Sequence, residues 1–401
     1  MRALQGIGRL YRCLPEGGQS AVHPIDDAVL VWDGPLVEWV GRRTELPARF
    51  GGLPMEDAGG RLLIPGLVDC HTHLAFAGWR ADEFEQKLRG VGYLEIARAG
   101  GGILSTVAKT RATPSELLAD RCLGFLTQMR TLGVTAVEVK TGYGLSLEHE
   151  LRTLEVYRQV AAQVPQTIVP TLLAAHTVPP EYRDRRDRYV DVVVNEIIPA
   201  VAERKLASFC DVFVEDTAFS VAEGERILRA GKAAGMGAKL HADQITSCGG
   251  AELAAKVAAV SADHLEKISS AGIAAMAVAG VVAVSLPIAS LYLNQAPLKA
   301  RHLIDAGVLV AVATDFNPGS APSFDLPLAM MLACTMQRMT PAEVLKGATQ
   351  IAARAIGLET VGSLAPGKRA DFALIEAESI EHWLYHFRPN ACARTVVAGQ
   401  G

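Results

Sequence analysis

The sequence is short of several things. Aromatic residues make up 6% of its 401 positions and charged residues 20%, and the formal net charge is −4. No block of lysine and arginine stands out, and no aromatic residues interleave with basic ones. A nucleic-acid surface is therefore not expected. The seven cysteines (Cys13, Cys70, Cys122, Cys210, Cys248, Cys334 and Cys392) are odd in number, scattered, and never in a CxxC pair. This argues against a disulfide framework and for a reducing, cytoplasmic compartment. The N-terminus lacks a charged segment followed by an apolar one, so no signal peptide is expected. No tandem repeat or low-complexity segment is present.

One stretch lacks charge altogether, between Lys267 and Lys299. Ala271 to Leu293 is long enough to span a bilayer. However, Gly272, Gly280, Ser285, Pro287, Ser290 and Asn294 interrupt it, and no aromatic belt flanks it. A buried helix followed by a buried strand is expected instead, with no membrane partner.

Half of the residues are hydrophobic. That is ample for one large core and a smaller attached domain. Apolar strand candidates recur near 66–72, 134–140, 167–175, 208–214, 237–242, 259–265, 281–286 and 308–314, with helix candidates between them. Eight strands alternating with helices predict an α/β fold, a closed (β/α)8 TIM barrel, over residues 63–357. Ala28 to Gly41 reads as a hairpin around Asp33-Gly34-Pro35, and Gly362 to Ile375 as a turn and a strand. Residues 1–62 and 358–401 are expected to pair as a small β-sandwich domain built from both chain termini.

The segment Pro65–Arg80, PGLVDCHTHLAFAGWR, ends the first barrel strand. Residues i and i+2 of a strand share a face, so His71 and His73 point the same way. Two such imidazoles can bind one metal ion. A polar pair where a strand leaves the core has the same appearance, and the remaining strand ends decide between the two. Strand two ends in Lys140-Thr-Gly-Tyr143, strand three in His176, strand four in Glu215 and Asp216. Strand five ends in His241-Ala-Asp-Gln244, strand six in Asp263-His264, and strand eight in Thr314-Asp315-Phe-Asn317-Pro-Gly319-Ser320. Five of the ten histidines thus fall at the C-terminal strand ends, where barrel sites lie. His71, His73, His241 and Asp315 make a set of three nitrogens and one carboxylate, suited to one divalent ion, Zn2+ or Fe2+, with a position open for water.

This constellation resembles the amidohydrolase superfamily. Within it, Arg80-Ala-Asp-Glu-Phe-Glu, Ile96 to Ile103, Lys140 to Leu145, Lys239 to Gln244, Ser261 to Leu265 and Thr314 to Ser320 are together similar to the ring-opening hydrolases of histidine degradation. The resemblance runs from about residue 60 to 375. It implies hydrolysis of a five-membered cyclic amide with a carboxylate tail, a small-molecule substrate, and a homodimer. His71, His73, His241 and Asp315 would hold the metal. Asp315, His264 and His176 would be catalytic. Arg80, Tyr93, Tyr143, His176, Gln244, Asn317, Gly319 and Ser320 would contact the substrate. Trp79 departs from the pattern, which has a small polar residue before Arg80. Deaminases of the same superfamily carry glutamate where Gln244 stands, and an amide cannot shuttle protons.

Overall fold

The computed structural model describes residues 1–91, 95 and 100–401. Five strands come first: β1 (Arg2–Tyr11), β2 (Pro24–Asp33), β3 (Leu36–Arg42), β4 (Met55–Asp57) and β5 (Leu62–Pro65). Eight follow: β6 (Leu67–Asp69), β7 (Val134–Lys140), β8 (Thr167–Ala175), β9 (Phe209–Val214), β10 (Gly237–Ala242), β11 (Ser261–His264), β12 (Val282–Ser285) and β13 (Val310–Val312). The last two are β14 (Phe372–Ile375) and β15 (Cys392–Val396).

Strands β6 to β13 form one sheet in sequential order, parallel at every step. All eight are largely buried on both faces, as a helix-covered parallel sheet requires, and most are predominantly apolar. Just beyond β6 and β13 the ends of the sheet meet. Asp315 N donates to His71 O at 3.0 Å, and His73 N donates to Phe316 O at 2.9 Å. The eight strands thus make a barrel, closed at the level of the histidine pair.

Helices run between the strands, among them Ser115–Thr131, Leu147–Ala161, Val221–Ala233 and Ser270–Ala279. Several start on side-chain caps. Ser220 and Glu223 form a capping box, and Ser146 and Ser269 accept from backbone N–H groups of the first turn. The uncharged stretch resolves into the helix Ser270–Ala279, β12 and the short helix Pro287–Tyr292. Among the described residues, no helix is long and apolar enough to cross a membrane.

The terminal strands form a second, mixed sheet in the order β15-β14-β5-β1-β2-β3, with β4 beside β1. Asp33↔Leu36 closes the β2–β3 hairpin, with Gly34 at φ 50° in the turn. Its apolar side chains, including Leu4, Leu30, Trp32, Leu63 and Phe372, form a core of their own. Strand β5 pairs with β1 and β14 and runs through Gly66 straight into β6. Both chain termini therefore anchor the strand that delivers His71 and His73.

Candidate active site

His71 and His73 follow β6, His241 lies in β10, His264 ends β11, and Asp315 follows β13; all five are buried. The donor atoms of His71, His73 and Asp315 lie within 4.8 Å of one another, and so do those of His71, His241 and His264. His71 Nε2 is 3.4 Å and His73 Nε2 is 3.5 Å from Asp315 Oδ1. His241 Nε2 is 3.4 Å from His73 Nε2. His264 and Asp315 hold φ of 76° and 58°, a costly conformation for residues other than glycine. Backbone strain at two adjoining site positions is typical of groups aimed for chemistry.

The donor set suits a divalent cation. His71 Nε2 is buried without a hydrogen-bond partner, although the Asp315 carboxylate is close by. The other nitrogen of the ring, Nδ1, contacts Asp263 Oδ2 at 2.7 Å. His241 repeats the arrangement, with Nδ1 3.1 Å from Asp211 Oδ1. A carboxylate that accepts from Nδ1–H leaves the Nε2 lone pair facing the site, the usual way a ligand histidine is oriented. Burial holds His73 below its ordinary pKa. It takes His241 down to about 3 against the opposing pull of Asp211, so both rings are neutral, as ligation requires. Burial works against ionisation of Asp315 too, yet the neighbouring His71, His73 and His264 rings keep its carboxyl well below the usual range.

Beneath the histidines the barrel interior is charged rather than apolar. Glu138, Lys140, Asp211, Lys239 and Asp263 are all at most 1% exposed. Lys140 Nζ reaches Asp211 Oδ2 at 2.7 Å, Asp263 Oδ2 at 3.2 Å and Glu138 Oε1 at 3.2 Å. Lys239 Nζ lies 3.1 Å from Glu138 Oε2 and donates to Ala355 O at 3.0 Å. Asp211 and Asp263 received no role from sequence reasoning. Their signal was a lone charge inside an otherwise apolar strand, as in Phe209-Cys-Asp-Val-Phe-Val.

Around the candidate metal ligands stand the residues expected to contact substrate. His176 follows β8 and stacks on His73, with ring centroids 5.1 Å apart and planes at 17°. Its pKa lies well below the ordinary value, first through burial and then through His73 and His241, so the ring is neutral. Gly142, at φ 108°, passes so close that a Cβ there would lie 2.6 Å from His176 Nδ1. Tyr143 packs 5.9 Å from the His73 ring and 5.6 Å from the His176 ring, with its phenol pKa pushed up by burial. Gln244 is half-buried, on a loop that Glu215 grips through Ile245 N at 2.8 Å and Thr246 N at 3.1 Å.

Arg80 lies across the loop after β13. A Cβ on Gly319 would sit 1.4 Å from Arg80 Nη2. Beside it, the 48% exposed Trp79 leans on Phe76, Phe125 and Phe316 at 4.9 to 6.1 Å, and this aromatic cluster anchors the base of the Arg80 loop. Asn317 uses both ends of its amide within its own loop. Nδ2 donates to Asp315 O at 2.6 Å and Ser320 Oγ at 2.9 Å, and Oδ1 accepts from Gly319 N and Ser320 N at 2.7 and 2.8 Å. Ser320 Oγ donates to Asp315 Oδ2 at 3.3 Å. Tyr93 lies outside the described residues, as does part of the Ile96–Ile103 motif.

The chain matches the amidohydrolase family over residues 62–400. It is 44% identical over 403 residues to the imidazolonepropionase of Cupriavidus pinatubonensis, covering 100% of this chain and 94% of that protein. The imidazolonepropionase of Symbiobacterium thermophilum is 49% identical over 347 residues, 86% of this chain and 82% of that relative. The chain belongs to the imidazolonepropionase family of amidohydrolases. Among solved structures, a mutant of the atrazine chlorohydrolase TrzN of Arthrobacter aurescens TC1, complexed with zinc and atraton, has a TM-score of 0.75 at 17% identity, over 100% of this chain and 94% of that one. Guanine deaminase of E. coli also reaches 0.75, at 15% identity, over 100% of this chain and 98% of that one. At such identities these structures share the fold with the imidazolonepropionase family and say nothing of its substrate.

Proposed function

We propose that this chain hydrolyses 4-imidazolone-5-propanoate to N-formimidoyl-L-glutamate, a ring-opening step of histidine degradation. Family membership at full-length coverage carries the reading. The site's chemistry agrees with it.

A divalent cation held by His71, His73, His241 and Asp315 would polarise the ring carbonyl and lower the pKa of a bound water toward ~7. The chain's own groups do the rest. Arg80 offers a planar fork to the propanoate tail, and such bidentate, charge-assisted contacts fix orientation as well as energy. Tyr143 and the neutral His176 flank the ring from the His73 side. Asp315 Oδ1 faces the histidine nitrogens, which leaves Oδ2, on the side of Ser320, to take the water proton. Water oxygen bonds to the carbonyl carbon, the carbon–nitrogen bond breaks, and Asp315 returns the proton to the leaving nitrogen. His264 stabilises the oxyanion that forms on the way. The propanoate becomes the side-chain carboxylate of the product, and the former carbonyl becomes its α-carboxylate.

Zn2+ or Fe2+ as the ion, one per chain, a homodimeric assembly and a cytoplasmic location belong to the same proposal. Seven cysteines without a disulfide among them fit a reducing compartment. Deamination is the rival reading, since deaminases share the fold. It is disfavoured by Gln244, which supplies no proton to a leaving ammonia. Incubation with imidazolone propanoate, with ring absorbance and ammonia followed together, separates the two. Loss of absorbance without ammonia is expected, and ammonia release in step with turnover would overturn the proposal.

A further inference from the structure

The interior of a TIM barrel is normally filled by layers of branched apolar side chains. Here the layer directly under the metal ligands is ionic, and burying ions is expensive. Well-packed hydrophobic residues of similar volume usually give a fold of equal or greater stability. Stability alone is therefore a poor reason for Lys140. Its contacts give a better one. The ammonium has three N–H donors, and its three carboxylate neighbours are Asp211, Asp263 and Glu138. Two of those carboxylates each face the Nδ1 of a different ligand histidine, Asp211 that of His241 and Asp263 that of His71. One cation thus ties together the supports of two ligands that lie 170 positions apart in the sequence (71 and 241).

The charges of the cluster tell the same story. Glu138, Asp211, Asp263 and Asp315 carry four negative charges, and Lys140 and Lys239 two positive ones. Carboxylates thus outnumber ammonium groups in this layer, which suits it to lie beneath a bound cation. Without Lys140 one positive charge would be lost, and no ammonium would bridge the two aspartates.

We propose that Lys140 is a positioning residue for the metal centre, setting the orientation of His71 and His241 through Asp263 and Asp211. The inference rests on the metal-site reading given above. Lys239 supplies the internal control. It is equally buried and paired with Glu138, and its charge is felt at Asp263, but it makes no ion pair with Asp263 and has none with Asp211, so it does not tie the two supports together.

The test compares Lys140→Met and Lys239→Met after chelator treatment. Zn2+ affinity is measured by competition with a chromophoric chelator, and ligand geometry by the absorption of the Co2+-substituted protein. Loss of such outer support typically weakens metal binding 10–100-fold. Lys140→Met is expected to lose about that much and to alter the Co2+ spectrum, with kcat reduced and KM little changed. Lys239→Met should lower the melting temperature and weaken affinity clearly less than Lys140→Met does, with the spectrum near wild type. Lys140→Gln, which retains an amide donor, should fall between Lys140→Met and wild type. Wild-type affinity and spectrum in Lys140→Met, or equal losses in both methionine variants, would overturn the proposal. So would failure of both Lys140 variants to fold while Lys239→Met folds, since Lys140 would then serve stability alone. Wild-type protein that binds no divalent ion would instead overturn the metal-site reading itself.

Discussion

The guanidinium of Arg80 rests on the bare backbone of Gly319, so close that a methyl group there would come within 1.4 Å of Nη2. The two residues are on loops at opposite ends of the barrel sequence, after β6 and after β13. Gly319 is not among the residues with positive φ, so its glycine is required by space rather than by backbone conformation. Gly319→Ala should displace Arg80 and raise KM by tens-fold, with metal content unchanged. Steady-state kinetics and elemental analysis on one preparation check this. An unchanged KM would mean that Arg80 can move aside and still bind substrate.

Arg80→Ala should raise KM further, through loss of a charge-assisted bidentate contact worth on the order of 2–3 kcal/mol. Arg80→Lys should recover only part of that, because a point charge does not reproduce the planar fork. Full recovery by lysine would show that charge alone is read.

Asp315→Asn should separate rate from occupancy. Asparagine still offers the metal an oxygen, and three histidines remain, but the amide cannot take a proton from water. Turnover should fall by about 10²–10⁴-fold while much of the metal is retained. A variant with its metal and near-wild-type turnover would move the general base elsewhere, with His264 the next candidate.

Acid stability gives a prediction away from the site. Burial raises the pKa of Glu343, but hydrogen bonds from Arg301 and Thr340 outweigh it and leave the carboxyl below its ordinary value. A lowered folded pKa means stabilisation that is present above the unfolded value, ~4.3, and lost as pH falls through the folded one. Glu343→Gln should therefore cost about 1 kcal/mol at pH 7 and less near pH 3. Denaturant titrations at the two pH values measure the gap, and a gap of equal size at both would contradict the ion-pair assignment.

Much of this molecule is legible in its sequence. All eight apolar runs become barrel strands, because a strand buried on both faces has a composition that little else shares. Histidines and an aspartate at the strand ends mark the candidate metal centre, and the structure brings their donor atoms together. Other features are not legible, and the reason is physical. Lys140, Asp211 and Asp263 acquire their meaning only when three strands bring both carboxylates within 3.2 Å of the ammonium. The contact of Arg80 with Gly319 joins residues far apart in the chain. The resemblance implies a substrate contact at Asn317; its loop geometry, an amide hydrogen-bonded within its own loop at both ends, is visible only in the structure.

The central claim is that one divalent ion, held by His71, His73, His241 and Asp315, supports hydrolysis of an imidazolone ring. The most direct measurement is turnover of 4-imidazolone-5-propanoate by protein stripped with a chelator and then titrated with Zn2+ or Fe2+. The account predicts that stripping abolishes loss of ring absorbance, and that activity returns linearly and levels off at one equivalent per chain. Stripped protein that still opens the ring, or a titration that levels off only at two equivalents, would contradict it.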